Sequence, residues 1–254
     1  MASDPYPFPE PATHDATVIG RRLLTPRVLS LELRVAGEAT FGYREGQYIR
    51  IHLADGRRRD LSIANPCAGD NLVELWARDV GGDFSRYLFD HLEIGERWRF
   101  DGPLGEAWVP RDGRPLLIVS GGTGLGPARA IVRGELARDP SRPIELIHGD
   151  ASATELFAGP ELEHRAREHP SFTYLPTLEQ ADAAWEGHRG TPDRVVAERH
   201  SDLRGWSAHL FGPPPMVDAV RPLLEARGLT AESIHADAFT PGASDLDRTH
   251  PPRS

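Results

Sequence analysis

The feature that most constrains the fold of this chain is a change in its hydrophobic pattern near residue 111. Before this point apolar and polar residues alternate, as in VLSLELRV (28–35), whereas after it short apolar runs such as LLIVS (116–120) alternate with helix-like segments. A period of two is typical of half-buried strands, and strand–helix alternation is typical of a parallel sheet covered on both faces. A chain of 254 residues can hold both, so the sequence predicts two domains of different architecture.

The first predicted domain, residues 14–110, is a small antiparallel β-barrel. Besides 28–35, short strand candidates occur at 47–53, 72–79 and 97–100, and Gly and Asp residues separate them. One helix is predicted over 83–92, with Asp83 at its N-cap.

The second predicted domain, residues 114–240, is a doubly wound α/β domain. Its strand candidates are 116–120, 144–149, 172–176, 208–212 and 233–237. A segment of helical pattern lies between each of them and the next, which is typical of a parallel sheet. Residues 1–13 and 241–254 are rich in proline and polar residues, and we expect them to be flexible tails.

Charge and cysteine content exclude several classes of function. A net charge of -9 argues against a nucleic-acid or anionic-membrane partner, since both are held largely by positive charge. All 29 basic residues are arginine, which excludes Schiff-base lysines. Cys67 is the single cysteine, so the sequence can form neither an internal disulfide nor a four-cysteine cluster, and no metal site is predicted. No signal-peptide pattern and no run of ~20 apolar residues occurs, so we expect a cytoplasmic protein.

A glycine-rich turn, SGGTGLGPARA (120–130), follows the first strand of the second domain. Gly121, Gly122 and Gly124 allow backbone N–H groups to approach an anion, and Pro127 suits a first helical turn, so a pyrophosphate would fit there. Because Pro127 replaces the last glycine, the spacing is not the Rossmann fingerprint. A strand-to-helix turn without a ligand is the alternative.

A second candidate is HLFGPPPMVDAV (209–220), where Gly212 and Pro213 follow another strand. Ligands of open parallel sheets bind at the carboxyl ends of the strands. By itself the segment could be only a stiff loop, but together with the glycine-rich turn it predicts a crevice.

These segments carry a family resemblance. Read in order, REGQYIRI, RDLSIAN, GGDFS, GPLGEAW, SGGTGLGPARA and HLFGPPPMV resemble the ferredoxin–NAD(P) reductase superfamily, from about residue 14 to residue 240. The region of GEAWVP and the glycine-rich turn is similar to bacterial NAD(P)H-dependent flavin reductases, whereas HLFGPPPMVDAV resembles the reductase modules of oxygenase systems. The resemblance implies FAD, or FMN, as the flavin and NADH, or NADPH, as the reductant.

In the family, a segment of the form R-x-Y-S binds the flavin, and here the resemblance implies that role for Arg59, Asp60, Leu61 and Ser62. Arg59 would hold the flavin phosphate, for which a guanidinium fork is suited, and Ser62 would fix N5, the atom that accepts hydride. Leu61 stands where the family has an aromatic ring that would stack on the flavin. We expect the preceding Arg57 and Arg58 to be solvated.

The other implied flavin ligands come from GGDFS and from the C-terminus. The resemblance places the flavin diphosphate at Gly82, Asp83, Phe84 and Ser85. It also places Asp237 near Ser62, as a group that could relay a proton, and Phe239 against the ring. For these last two, ordinary strand-end residues are the alternative.

The resemblance places the nicotinamide at Thr123 and Gly124, and Thr123 would position it for hydride transfer, which makes Ser62, Thr123 and Asp237 the candidate catalytic residues. Asp150, just after a strand, would accept from the ribose 2′-hydroxyl and repel a 2′-phosphate, which favours NADH. No arginine follows it in the chain before Arg165, although Asp150 could equally be a turn residue.

Three hypotheses remain. In the preferred one, bound FAD takes two electrons from NADH and passes them singly to a separate ferredoxin, Rieske protein or oxygenase component; the GGDFS turn and GPPPM favour it. In the second, flavin is a substrate that leaves reduced for a flavin-dependent monooxygenase, which Leu61 favours. The third is a nucleotide-binding electron-transfer or regulatory subunit without turnover.

Overall fold

The structure of the protein is a computed structural model that describes residues 9–239. The predicted C-terminal tail and most of the N-terminal one lie outside these residues. Strand β1 begins at Ala12, two residues before the predicted start of the first domain. Among residues 9–239, no helix combines the length and the apolar character that crossing a membrane requires.

The first half of the chain forms a six-stranded antiparallel sheet, in the order β4-β3-β6-β1-β2-β5. Its strands are β1 (Ala12–Thr25), β2 (Val28–Val35), β3 (Tyr48–His52), β4 (Arg58–Ser62), β5 (Leu72–Arg78) and β6 (Arg97–Leu104). A bridge between Ile63 and Leu75 brings the two edges together and closes the sheet around an apolar core. The predicted antiparallel barrel is therefore confirmed.

Strand β1 was not predicted from the sequence, although it is the longest in the barrel, with 14 residues. Its pairing with β2 shifts register between Val18 and Gly20 and again between Leu23 and Thr25. Each irregularity displaces the side chains that follow relative to the sheet faces, so the strand has no sustained period of two.

The predicted helix over 83–92 is present as two short pieces. Helix α1 (Asp83–Arg86) continues into a π-helical turn (Tyr87–His91). The N-cap is Gly82 and not Asp83, which is the first helical residue.

The second half forms a six-stranded parallel sheet, in the order β10-β9-β8-β7-β11-β12. Its strands are β7 (Leu116–Gly121), β8 (Ile144–Asp150), β9 (Phe172–Leu178), β10 (His188–Arg189), β11 (Ser207–Gly212) and β12 (Ile234–Ala238). The helices between them are α2 (Leu125–Arg138), α3 (Gly159–Glu168), α4 (Pro192–Arg199) and α5 (Pro214–Ala226).

The central strand β7 shows that both faces of this sheet are covered. Leu116 and Ile118 belong to one apolar core, with residues of α2 and α3, whereas Leu117 and Val119 belong to another, with residues of α4 and α5. The predicted doubly wound domain is confirmed. From β7 the chain runs outward to β8 and β9 and then returns to β11 on the other side, so the order of strands reverses between β7 and β11, where such folds bind ligands.

Candidate functional site

A cavity of about 680 Å³ lies between the barrel and the carboxyl ends of the parallel strands. Its walls come from both domains. The predicted site residues that line it are Arg59, Asp60, Leu61, Ser62, Gly82, Asp83, Phe84, Ser85, Gly121, Gly122, Thr123, Asp150, Pro213, Asp237 and Phe239. Most of the residues singled out from separate segments are thus brought together in one place.

Residues of strand β4 form part of the barrel wall of the cavity. This strand pairs with β3, so that Tyr48 lies beside Ser62 and Ile49 beside Leu61. The Ser62 hydroxyl forms no hydrogen bond with residues 9–239 and is available to a ligand.

The three consecutive arginines that precede Leu61 have different partners. The Arg57 guanidinium is 2.6 Å from an Asp55 carboxylate oxygen. Arg58 lies 3.5 Å from Asp101. Arg59 donates to the Arg58 carbonyl at 2.7 Å but pairs with no carboxylate in the described part of the chain. Arg59 is therefore the arginine of this run that lies in the cavity wall and has no carboxylate of the described residues within ion-pair distance.

The turn over Gly82–Ser85 forms the neighbouring wall. Gly82 is extended, and the helix starts directly after it, so the first backbone N–H groups of α1 have no partner within the helix. The Ser85 hydroxyl donates to the Gly82 carbonyl at 2.9 Å and is buried, which holds the turn in shape.

On the opposite wall, the glycine-rich turn leads from β7 into α2. Gly121 and Gly122 line the cavity, and Gly122 has a positive φ of 55°. The Thr123 hydroxyl, like that of Ser62, forms no hydrogen bond within the described residues.

Two predicted cofactor residues, Gly124 and Gly212, do not line the cavity. A Cβ on Gly124 would overlap the carbonyl oxygen of Phe211, and a Cβ on Gly212 would lie 2.8 Å from the Met216 methyl carbon. Because these two glycines carry no side chain, the glycine-rich turn and the loop after β11 can pack together behind the cavity. The Phe211 side chain is itself buried in the core.

Asp150 lies at the end of β8 and is buried, with a side chain 5% exposed. One carboxylate oxygen is 3.2 Å from Arg78 of the barrel, and the other is 3.2 Å from the buried His148 ring, which bonds to Ser120 at 2.9 Å. Arg78 also pairs with Glu155 at 2.6 Å. The segment after Asp150 contains no arginine before Arg165, but the barrel supplies Arg78 as a neighbour from a distant part of the chain.

The C-terminal residues close the crevice. Asp237 lies on β12 beside Phe211 of β11, and it lines both the main cavity and a second one of about 570 Å³. Phe239 donates its backbone N–H to the Gly212 carbonyl at 2.8 Å, and its ring packs against the core that the two domains share.

Several cavity residues were missed by the sequence analysis: Tyr48, Trp76, Arg78, Glu179 and Asp193. Trp76 and Arg78 lie on β5, which the pattern predicted only as a strand. Arg78 lies three residues before the GGDFS segment, and this nearness to a predicted site was the only sequence signal for it that we identify. It does not indicate that the Arg78 side chain crosses to the other domain.

The cavity combines the chemical groups that a flavin and a nicotinamide dinucleotide require. Arg59 offers an unpaired cation for phosphate, and Ser62 and Thr123 offer unpartnered hydroxyls on opposite walls. Gly121 and Gly122 line the cavity shortly before the start of the long helix α2 and carry no side chain that would keep a pyrophosphate away from the backbone. The residues present therefore fit both groups.

Comparison with known families agrees with this geometry. Residues 15–108 match the oxidoreductase FAD-binding domain family, and residues 118–222 match the oxidoreductase NAD-binding domain family. Together the two matches account for most of the chain and follow the division into barrel and α/β domain.

Among characterised relatives, the reductase subunit of an aromatic O-demethylase from Amycolatopsis is 37% identical over 209 residues, 79% of this chain and 62% of that protein. The ferredoxin–NAD(P)(+) reductase component of a naphthalene 1,2-dioxygenase system from Pseudomonas putida is 34% identical over 92% of this chain and 72% of that protein. The chain thus spans about two thirds of the length of these relatives.

Solved structures give the same result. A cytochrome P450 reductase from Amycolatopsis superimposes with a TM-score of 0.84 at 35% identity, covering 91% of this chain and 71% of that one. The ferredoxin reductase of a carbazole 1,9a-dioxygenase system gives 0.82 at 29% identity, covering 92% and 71%. This chain belongs to the ferredoxin–NAD(P) reductase superfamily, with a barrel of the oxidoreductase FAD-binding family and an α/β domain of the oxidoreductase NAD-binding family.

Proposed function

We propose that the protein is the flavin- and NADH-binding part of an electron-transfer reductase, which oxidises NADH and passes electrons to a separate ferredoxin, Rieske protein or oxygenase component. The observation that carries this proposal is that Ser62 of the barrel and Thr123 of the α/β domain line the same cavity. Neither hydroxyl forms a hydrogen bond within the described residues. Relatives that are reductase components of dioxygenase and O-demethylase systems support it.

The barrel would hold FAD. Arg59 would bind its phosphate, together with the backbone of Gly82–Ser85, and Ser62 would hydrogen-bond to N5. When bound, the flavin supplies the chemistry that converts a two-electron hydride donor into one-electron transfers. Asp60 and Leu61 would line the flavin, and Phe239 would pack near its ring.

The α/β domain would hold the nicotinamide dinucleotide. The backbone of Gly121 and Gly122 would receive the pyrophosphate, and Thr123 would position the nicotinamide against the flavin. Pro213 would border the same site from the second loop. Asp237, at the junction of the two cavities, would relay a proton from solvent.

Negative charge on the cavity wall around Asp150 favours NADH over NADPH. Asp150, Glu179 and Asp193 all line the cavity, and Arg78, the cavity arginine beside Asp150, already pairs with both Asp150 and Glu155. A 2′-phosphate would therefore meet an excess of negative charge, whereas a 2′-hydroxyl can donate to a carboxylate.

Replacing Asp150 tests this assignment. The variant Asp150→Ala removes one carboxylate and releases one side of the Arg78 guanidinium, so we expect the ratio of kcat/KM for NADH to that for NADPH to fall by about tenfold, which corresponds to 1.4 kcal/mol. Asp202→Ala, an exposed carboxylate paired only with Arg204, is the control and should leave the ratio unchanged. An unchanged ratio in Asp150→Ala would remove the basis for choosing NADH.

The main experiment is the visible absorption spectrum of the purified, dialysed protein, followed by anaerobic addition of NADH. A retained flavin band that bleaches on addition of NADH is expected for a reductase with a bound flavin. Failure to oxidise NADH with any acceptor, despite nucleotide binding, would refute the enzymatic proposal and favour an electron-transfer or regulatory subunit without turnover.

A second candidate function, favoured by Leu61, is an NAD(P)H:flavin reductase that releases reduced flavin to a flavin-dependent monooxygenase. Leu61 is half-buried in the cavity wall and provides no aromatic ring to stack on a flavin. A colourless protein that oxidises NADH only after FAD, FMN or riboflavin is added would support this function. For either function we propose a cytoplasmic location, where reduced pyridine nucleotide is supplied.

A further inference from the structure

One face of α2 packs against the barrel. Gly126 and Arg129 lie three residues apart and therefore on the same side of the helix. A Cβ on Gly126 would be 3.2 Å from the Ala64 methyl carbon and 3.4 Å from the Trp76 ring. The first turn of α2 thus rests directly on the barrel.

The Arg129 guanidinium joins three segments of the protein. It donates to the Ala64 carbonyl at 3.0 Å and to a Glu74 carboxylate oxygen at 2.9 Å, both in the barrel. It also donates to Glu161 of α3 at 2.7 Å. The Arg129 side chain is only 12% exposed and lies over the Trp76 ring, 5.2 Å from its centroid.

The barrel side of this contact is firmly held. The second carboxylate oxygen of Glu74 accepts from the Trp76 indole at 2.8 Å and from the Ser30 hydroxyl at 2.9 Å. The Ala64 backbone N–H donates to the Glu74 carbonyl at 2.7 Å. Arg129 therefore binds a part of the barrel whose own hydrogen bonds leave little freedom.

The position of these contacts along the chain links them to the proposed chemistry. Ala64 lies two residues after Ser62, and α2 begins two residues after Thr123. One guanidinium thus holds the strand that carries the proposed flavin ligand to the helix that follows the proposed nicotinamide site. Hydride transfer needs reacting atoms within about 3–3.5 Å of each other, and a displacement of about 1 Å can reduce its rate by about 100-fold.

We propose that Arg129 is a positioning residue that fixes the alignment of the two halves of the site, and that its loss slows hydride transfer without weakening nucleotide binding. The effect on rate rests on the proposed function, whereas the effect on domain alignment does not. Arginine suits this role because its planar fork reaches acceptors on several sides at once, whereas a lysine ammonium on a flexible stem cannot hold all three in fixed directions.

Arg133 provides a matched control on the same helix. It lies one turn further on, 31% exposed, with its Nε 3.9 Å from Glu161. It forms no hydrogen bond to the barrel within the described residues. A substitution there removes a similar charge from α2 and leaves the contact with the barrel intact.

The test compares Arg129→Met, Arg129→Lys and Arg133→Met with the wild-type protein in two measurements. The first is hydrogen–deuterium exchange at the Ala64 amide in the nucleotide-free protein. The second is the anaerobic rate constant of flavin reduction over a range of NADH concentrations.

For Arg129→Met we expect faster exchange at Ala64 and a rate constant at saturating NADH lower by about tenfold or more. The NADH dissociation constant should stay within about twofold, Arg129→Lys should be intermediate, and Arg133→Met should match the wild type.

An Arg129→Met protein with wild-type exchange and a wild-type reduction rate would overturn the proposal, as would equal losses in Arg133→Met. If Arg129→Met does not fold, wild-type values of both quantities in Arg129→Lys would overturn it. If NADH reduces no flavin in the wild-type protein, the proposed function fails, and exchange at Ala64 alone then decides whether Arg129 holds the domains in alignment.

Discussion

At the scale of single residues, three adjacent arginines show how position on a strand separates binding from solvation. Arg57, Arg58 and Arg59 are chemically identical, yet Arg57 and Arg58 have carboxylate partners and Arg59 has none among residues 9–239. Arg59 also lines the main cavity. A cation without a counter-ion in a cavity wall is the group that gains most from an anionic ligand, because no existing ion pair has to be broken.

This difference predicts unequal effects of substitution on flavin binding. Arg59→Ala should raise the dissociation constant of FAD by about 10- to 100-fold, as expected for the loss of a charge-assisted bond of about 1.5–3 kcal/mol. Arg57→Ala removes the same charge two residues earlier in the chain, but Arg57 already pairs with the exposed carboxylates of Asp55 and, at 3.8 Å, Asp83, so its effect should be under about threefold. Titration of the flavin-free proteins with FAD, followed by flavin fluorescence, measures both. Equal losses in the two variants would show that Arg59 is not the phosphate ligand.

The sequence could single out residues in local motifs but not contacts that depend on the approach of the two domains. Arg59, Ser62 and Thr123 could be singled out because their segments resemble motifs of the superfamily, and all three line the cavity. The pairing of Arg78 with Asp150 could not, since the two are 72 residues apart and nothing in either segment indicates which surfaces meet.

At the scale of elements, one side of the glycine-rich turn lines the cavity and the other side packs against the end of β11. Gly121 and Gly122 face the cavity, whereas Gly124 faces the end of β11, where a Cβ would overlap the Phe211 carbonyl oxygen. The motif alone does not distinguish the glycines that face the cavity from the one that packs against β11, so Gly121, Gly122 and Gly124 were all predicted as cofactor residues.

Gly124→Ala should consequently lower stability because its Cβ meets backbone atoms, which cannot rotate away as a side chain can. We expect the free energy of unfolding to fall by about 3 kcal/mol, at the upper end of overpacking costs. Gly159→Ala, where nothing lies within 4 Å of the added atom, should change it by less than about 0.5 kcal/mol. Urea unfolding followed by circular dichroism compares them; a Gly124→Ala protein as stable as Gly159→Ala would mean that the loops can separate at no cost.

Strands and helices were predictable where the pattern was regular. Strand β2 was predicted at its observed bounds, 28–35, because its apolar side chains alternate without interruption. Strand β1 was missed because two irregularities in its pairing with β2 break the alternation. The two-residue strand β10 is too short to leave a periodic pattern and owes its existence to pairing with β9.

At the scale of the whole molecule, the two domains share buried structure and do not merely touch. One apolar core contains Val28 and Trp76 of the barrel together with Leu116 and Ile131 of the α/β domain. A buried histidine adds a polar contact to this interface. The His209 ring of β11 is fully buried and bonds to the carbonyl of Ala107, in the segment that leaves the barrel, at 3.2 Å.

Burial, assisted by the nearby His235, lowers the pKa of His209 to about 3. The folded protein therefore keeps this ring neutral, whereas in the unfolded chain it binds a proton below its ordinary pKa of about 6.5. Because the unfolded state binds more protons between these two values, stability falls as the pH is lowered from about 6.5 towards 3. A single such histidine contributes a slope of up to about 1.4 kcal/mol per pH unit.

His209→Asn keeps a donor near the position of Nδ1 but cannot be protonated in this range. Although the smaller side chain will lower stability at every pH, the free energy of unfolding should depend less steeply on pH between about pH 6 and about pH 5, by about 1 kcal/mol per unit. His164→Asn, whose exposed ring is paired only with Glu168, should retain the wild-type slope. Urea unfolding across this range measures the three slopes. If His209→Asn kept the wild-type slope, the His209 ring would have to bind protons equally in the folded and the unfolded protein, and burial of this ring would then contribute nothing to the loss of stability in acid.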